Sequence, residues 1–232
     1  MARVNLRRRL AACLGVIVVC AALNLISPAV IAHQRTLRPG EYTMRFDAAS
    51  PSDRATTQTQ THTHTRTVTL TKAPKQLNAV VTVDGEEVDH FPIDPSTAFP
   101  AKGRAGLGPF LPYRPERRSY PLFDTAAGRD VALDYVGPGS VRGLETSKYA
   151  ATLSDGCTRT VDAERRTGRI VDEVWDCPPE QWVLAEESKA AAVDAARRDV
   201  AWLRGLQVMA VLTRFTAAAA FIVGLVSYAR RR

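Results

Sequence analysis

Residues 10–32 read LAACLGVIVVCAALNLISPAVIA, 23 positions without a single charge. As a helix rising 1.5 Å per residue this run covers about 35 Å, enough to cross a bilayer core. Arg3, Arg7, Arg8 and Arg9 precede it with no acid among them. A cleaved signal peptide shares the basic head and the apolar run, and the small residues Val30 and Ala32 before His33 fit one, but an uncleaved anchor is the leading reading. Cys13 and Cys20 within it read as apolar filler. The far end of the chain mirrors this pattern. Residues 206–229 read LQVMAVLTRFTAAAAFIVGLVSYA, interrupted only by Arg214 and followed by Arg230, Arg231 and Arg232. An arginine at the bilayer centre costs roughly 2.5 to 3.5 kcal/mol, and the long stem of Arg214 can snorkel toward an interface. Trp202 and Tyr228 fall near the two expected interfaces.

Composition agrees with this division. The formal charge is +7, from 31 basic and 24 acidic residues, and the four arginines ahead of position 33 with the three at positions 230–232 account for the whole excess. A neutral interior with arginine-tipped ends suits a membrane-crossing chain, whereas a nucleic-acid partner would call for a basic face. The positive-inside rule then places residues 1–9 and 230–232 in the cytoplasm and everything from 33 to 205 outside. The expected architecture is an α+β membrane protein: spans at 10–32 and 206–229, a mainly antiparallel β domain at 33–178 and a helical stalk at 179–205.

In an oxidising compartment Cys157 and Cys177, the two cysteines of the outer region, are expected to bond to each other. Closing that loop would stabilise the domain by about 3 kcal/mol. A metal pair is the weaker reading, because neither has a second thiol or histidine at finger spacing.

Within the threonine-rich segment 51–72, every odd position from 57 to 71 is threonine. Period two means strand, with the opposite face turning from polar to apolar at Val68, so 51–65 reads as a polar linker or ribbon and Arg66 onward as core. His62 and His64 would share a face and could join His90 or an aspartate on a metal, but histidines in such a tract are more often solvated, and no metal or cofactor is expected. Strands are further expected at 78–83 before Asp84-Gly85, at 131–136 and 144–153 around the turn cluster Gly137-Pro138-Gly139, and at 159–163 and 169–176 around 165–168. The prolines between Pro92 and Pro115 forbid a long helix there. This is the signature of an antiparallel meander. After Pro178-Pro179, the Ala, Glu, Lys and Arg content of 180–204 predicts a helix, either a rigid stalk or a cover packed on the sheet through Trp182, Val193, Val200 and Leu203.

The passage Gly108-Pro-Phe-Leu-Pro-Tyr-Arg-Pro-Glu-Arg-Arg-Ser-Tyr-Pro-Leu-Phe-Asp124, with Tyr135-Val-Gly137, Val141-Arg-Gly143-Leu144, Tyr149 and Arg166-Thr-Gly168, resembles an actinobacterial domain-of-unknown-function family labelled porin PorA-like. The resemblance singles out Tyr120, Phe123, Asp124, Gly137, Gly143 and Gly168, and implies a first span, an outward β-rich domain and a helix entering a second span. It brings no catalytic residue. The chain is shorter ahead of Val83 than that family's members, and the threonine tract has no counterpart among them.

A transmembrane barrel would need at least about eight strands presenting an apolar band with aromatic girdles, and 7% of residues are aromatic, so pore formation would fall to the helices of an oligomer. The leading functional expectation is a non-enzymatic, membrane-tethered envelope protein that handles a lipid or a membrane-protein partner, with Phe99, Leu107, Phe110 and Leu111 as an apolar rim. A channel-forming oligomer is the alternative. A hydrolase ranks lower: Asp124, Asp130 and Asp134 could pair, but no G-x-S-x-G, H-E-x-x-H or phosphate-binding loop is present.

Overall fold

The computed structural model describes residues 2–49 and 62–229. The threonines at 57, 59 and 61, residues 51–61 of the linker expected at 51–65 and the final arginines lie outside the described residues, while Thr63–Thr65, expected as the end of that linker, are strand paired with Arg45–Asp47. Two compact units emerge, one from the chain ends (Met1–Arg35 with Val200–Arg232) and one from Thr36–Asp199.

The first unit holds two apolar helices. Helix α1 runs Ala2–Gln34 and carries Pro28 inside it, and α2 runs Glu186–Ala229, its later part belonging to this unit. Ala11–His33 of the first and the apolar portion of the second are each long and apolar enough to cross a membrane. Leu14, Val18, Leu25, Phe215, Phe221 and Ile222 present bare side chains, as residues meant for a lipid environment do.

The second unit is built on ten antiparallel strands: β1 (Gly40–Ala48), β2 (Thr63–Ala73), β3 (Gln76–Val83), β4 (Glu86–Ile93), β5 (Tyr120–Asp124), β6 (Arg129–Val141), β7 (Leu144–Thr152), β8 (Thr158–Glu164), β9 (Ile170–Cys177) and β10 (Glu180–Leu184). Their order is β4-β3-β2-β1-β10-β9-β8-β7-β6-β5, two meanders joined where β1 meets β10. The seam is a short register, Phe46 opposite Leu184 and Ala48 opposite Trp182. Alternation along each strand sends one set of side chains inward. On β2 the inward set is Arg66, Val68 and Leu70, with threonines between, so burial begins with a charged residue one step before the apolar pattern does.

Two expectations need correction. The helix expected from 180 begins at Glu186, because Gln181-Trp182-Val183-Leu184 pairs with β9 on one side and β1 on the other. Alanine-rich composition after 186 had masked a short run with strand-forming Trp182 and Val183, whose two ladders outweigh local helix propensity. Likewise the β6–β7 turn sits at Arg142-Gly143, both at positive φ (48° and 78°), while Gly137-Pro138-Gly139 lies within β6 beside a bulge. A two-residue turn of left-handed residues matches the twist of the flanking strands, which the Gly-Pro-Gly cluster does not require.

The edge strands β4 and β5 are bridged by the proline-rich segment 94–119. Its start folds back on β4 through Ala101 N to Pro92 O (2.8 Å), and Leu107 runs parallel to β5, donating to Pro121 O (2.7 Å) and accepting from Phe123 N (2.9 Å). Between them the Arg104 guanidinium lies 3.5 Å from the Phe91 ring centroid and 4.3 Å from that of Phe123, ion-paired to Asp89. The inner face therefore has two apolar clusters, one on β2–β4 around Leu70, Ala79 and Ile93, the other on β5–β9 around Leu133, Tyr149 and Val161. Residues 186–199 of α2 cover the opposite face of β6 and β9 through Val193 and Ala196 against Val141 and Val171.

Candidate functional site

Between the two apolar clusters the inner face carries buried charge. Arg66 on β2, Arg159 on β8 and Glu173 on β9 are all at least nine-tenths buried. Glu173 Oε1 accepts from Arg66 Nη1 (2.7 Å), Arg159 Nε (2.9 Å) and Trp175 Nε1 (2.9 Å), and Oε2 accepts from Arg66 Nη2 (2.6 Å). Burial opposes ionisation of this carboxyl, yet the two guanidinium charges win and hold it down at about 2. Arg66 also packs 5.2 Å from the Phe46 ring and donates to Met44 Sδ. Its Nε is buried with no acceptor.

Register extends this group toward the strand ends. Arg159 lies opposite Trp175, and Trp175 opposite Trp182, so guanidinium and both indoles share the inner face. The Arg159 guanidinium stands 5.2 Å from the Trp175 ring, and His64 meets the Trp182 ring edge-on at 4.0 Å while pairing with Asp84. No described residue takes a hydrogen bond from either Nη of Arg159. Nothing in the local sequence announces this cluster. The signal was the parity: Arg66 is in step with Val68 and Leu70, and Arg159 with Val161 and Ala163, both inward sets.

The residues singled out from the sequence fall elsewhere. Leu107 and Leu111 are buried in the β5–β9 cluster, Phe99 packs against it and Phe110 against the β2–β4 cluster, so the expected apolar rim is core. A segment that bridges two sheet edges must bury its apolar side chains under it. Tyr120 and Phe123 serve the same bridge: Tyr120 Oη accepts from Glu116 N (2.6 Å), and Phe123 lies against Arg104. Asp124 is a turn cap, accepting from the amides of Ala126 (3.0 Å), Ala127 (3.3 Å) and Ser154 (2.8 Å). Burial works against its charge, but those amides outweigh it and keep the carboxyl below its usual range. Asp130 and Asp134 are exposed and Asp134 accepts from Ser119, so no acid pair forms with Asp124. Gly143 supplies the β6–β7 turn and Gly137 sits at the β6 bulge. Gly168 has φ +72° and no room for a Cβ, which would overlap the Pro112 carbonyl. Cys157 and Cys177 are bonded, stapling the start of β8 to the end of β9. His64 is held by Asp84, and no group of metal-ligating side chains occurs among the described residues.

The helical unit has its own polar group. Asn24 Nδ2 donates to Thr213 Oγ1 (2.8 Å) and to Cys20 O (2.9 Å), and Asn24 Oδ1 accepts from Arg214 Nε (3.3 Å). These three residues join α1 to α2 in the middle of otherwise apolar sequence. Hydrogen-bonded polar residues at that depth hold helices together and mark paths for polar solutes.

Residues 10–167 match the family model described as Porin PorA. The search of curated proteins returned no match.

Proposed function

We propose a function for this chain from the premise that it belongs to the Porin PorA family: it is a membrane protein whose apolar helices, contributed by several copies, line a channel. Both termini face the cytoplasm and the sheet unit stands on the other side, as the arginine asymmetry favours. The observation that carries the channel reading, beside the family, is the joined trio Asn24, Thr213 and Arg214 within the two membrane-length helices. One pair of helices is too few to enclose water, so the conducting form is an oligomer, with the trio facing its axis and Arg214 favouring anions.

The sheet is ill suited to be the pore. Its inner face carries two apolar clusters, and among the exposed positions of β6 Arg129, Asp130, Asp134 and Ser140 interrupt the apolar band that lipid would demand. Lipid or envelope-partner handling by the sheet unit, the leading expectation from sequence, is now the second reading, since its apolar rim is core. The half-buried Trp175–Trp182 pair keeps it in view. In both readings the protein is non-enzymatic.

Planar-bilayer recording of the purified full chain tests the channel. Discrete conductance with anion preference is expected, turning toward cations in Arg214→Glu. Silent bilayers, or unchanged selectivity in that variant, would refute it.

A further inference from the structure

The charge balance of the inner face does not close. Arg66 and Arg159 bring two positive charges to the single negative charge of Glu173, and each side chain is at least nine-tenths removed from solvent. A buried cation without a counter-charge is costly. The other buried acids do not supply it: on β8 itself Asp162 is engaged by Thr146 and Lys148 and Glu164 by Arg166 and Thr167 of its own turn, while Asp124 on β5, three strands from Arg159, is held by its own three amides. Glu173 is saturated, with three donors on one oxygen and one on the other. On the cationic side donors are left over, since Arg66 Nε is buried without an acceptor and neither Nη of Arg159 is used by a described residue.

A guanidinium whose Nε is tied to a carboxylate and whose two Nη groups are free presents a pair of parallel donors, the geometry that fits an oxyanion. Beside it stand the indoles of Trp175 and Trp182, directly opposite one another across β9 and β10, both half-buried, with the Phe46 ring beyond. Flat apolar walls next to an oxyanion fork select a ligand that carries both features.

We propose that the inner face at Arg159 is a binding site for an organic carboxylate, its oxyanion on the Arg159 Nη groups and its apolar body against Trp175 and Trp182. The bound anion supplies the charge that Arg66, Arg159 and Glu173 leave uncompensated. The site belongs to the sheet unit alone and does not depend on how the helices assemble.

The test uses the full chain in a non-ionic detergent with its disulfide intact, titrated at constant ionic strength with cyclohexanecarboxylate, which neither absorbs near 280 nm nor competes as a detergent. Tryptophan emission and Tm are read together, with Trp202 as a constant background. Saturable responses in both are expected, absent with cyclohexylmethylammonium and with chloride, and weaker with inorganic phosphate. Trp175→Phe should remove most of the emission change, and Arg159→Lys, which keeps the charge but loses the fork, should weaken binding roughly tenfold. A linear response, an equal response to the ammonium compound, or equal affinity for phosphate would overturn the assignment on the wild-type chain alone. So would a folded Arg159→Lys that binds as tightly as wild type.

Discussion

Replacing Glu173 by glutamine probes the interior most directly. The carboxylate takes four hydrogen bonds from Arg66, Arg159 and Trp175. Glutamine offers one carbonyl oxygen in its place and turns an amide donor toward guanidinium groups that can only donate. Removing one partner from a buried ion network costs about 3 to 5 kcal/mol, because the charge left behind stays buried and unpaired. In a unit spanning Thr36–Asp199, each kcal/mol moves Tm by about 2 to 4 °C, so Glu173→Gln should lower it by about 10 °C. The pH dependence gives an independent arm. Since the folded carboxyl is held at about 2 against an ordinary 4.5, its stabilisation, worth about 3 kcal/mol, is complete above pH 4.5 and is lost as pH falls through 2. Thermal unfolding between pH 2 and 7, followed by circular dichroism, should therefore show a steep acid loss in wild type that is much reduced in Glu173→Gln. Replacing all three charges together, as Arg66→Met, Glu173→Leu and Arg159→Met, should be milder than Glu173→Gln alone. A Tm within 2 °C of wild type for Glu173→Gln, with the acid limb unchanged, would refute the reasoning.

Gly168→Ala should destabilise by about 2 kcal/mol or more, since the residue needs φ +72° and its Cβ would meet the Pro112 carbonyl, whereas Gly156→Ala, with open space around it, should cost less; urea unfolding separates the two. Arg104→Leu removes the cation between Phe91 and Phe123 and strands Asp89, so hydrogen exchange in 94–119 should quicken before that of β8 does. Tyr149, pushed up to about 12 chiefly by burial, should stay protonated in the folded chain beyond pH 11, and stability should fall as pH climbs from 10 toward 12; ultraviolet titration checks the first and unfolding curves the second. Cys157→Ser with Cys177→Ser should cost about 3 kcal/mol in the same unfolding assay.

What could be read from the chain depended on how far each signal reaches. The apolar runs at 10–32 and 206–229, the Cys157–Cys177 bond and strands β2, β3, β7, β8 and β9 rest on signals that are local or nearly so, and they are found close to where the sequence put them, whereas β1, β4 and β5 were not read from it. Asp84-Gly85 gave a hairpin turn because both residues tolerate positive φ. What failed was non-local. β10 pairs with its hairpin neighbour β9 but is held in the sheet on its other side by β1, more than 130 residues earlier, a partner that no window around Trp182 contains. Leu107 and Leu111 look like an exposed rim until the bridge between β4 and β5 is known, and then they are its buried underside. Arg66, Arg159 and Glu173 each sit at an inward parity, but their convergence depends on sheet order. The motif 108–124 proved informative in a different sense, marking the bridging segment and not chemistry.

The pairing of β1 with β10 sets a condition on biogenesis. The N-terminal meander and the C-terminal meander are joined strand to strand at this seam, whose later half is among the last residues before the second apolar helix begins. A ribosome delivering the chain in order must release nearly 185 residues before the sheet can be completed. Until then β1 has an open edge, so an unfinished sheet must be shielded through most of synthesis.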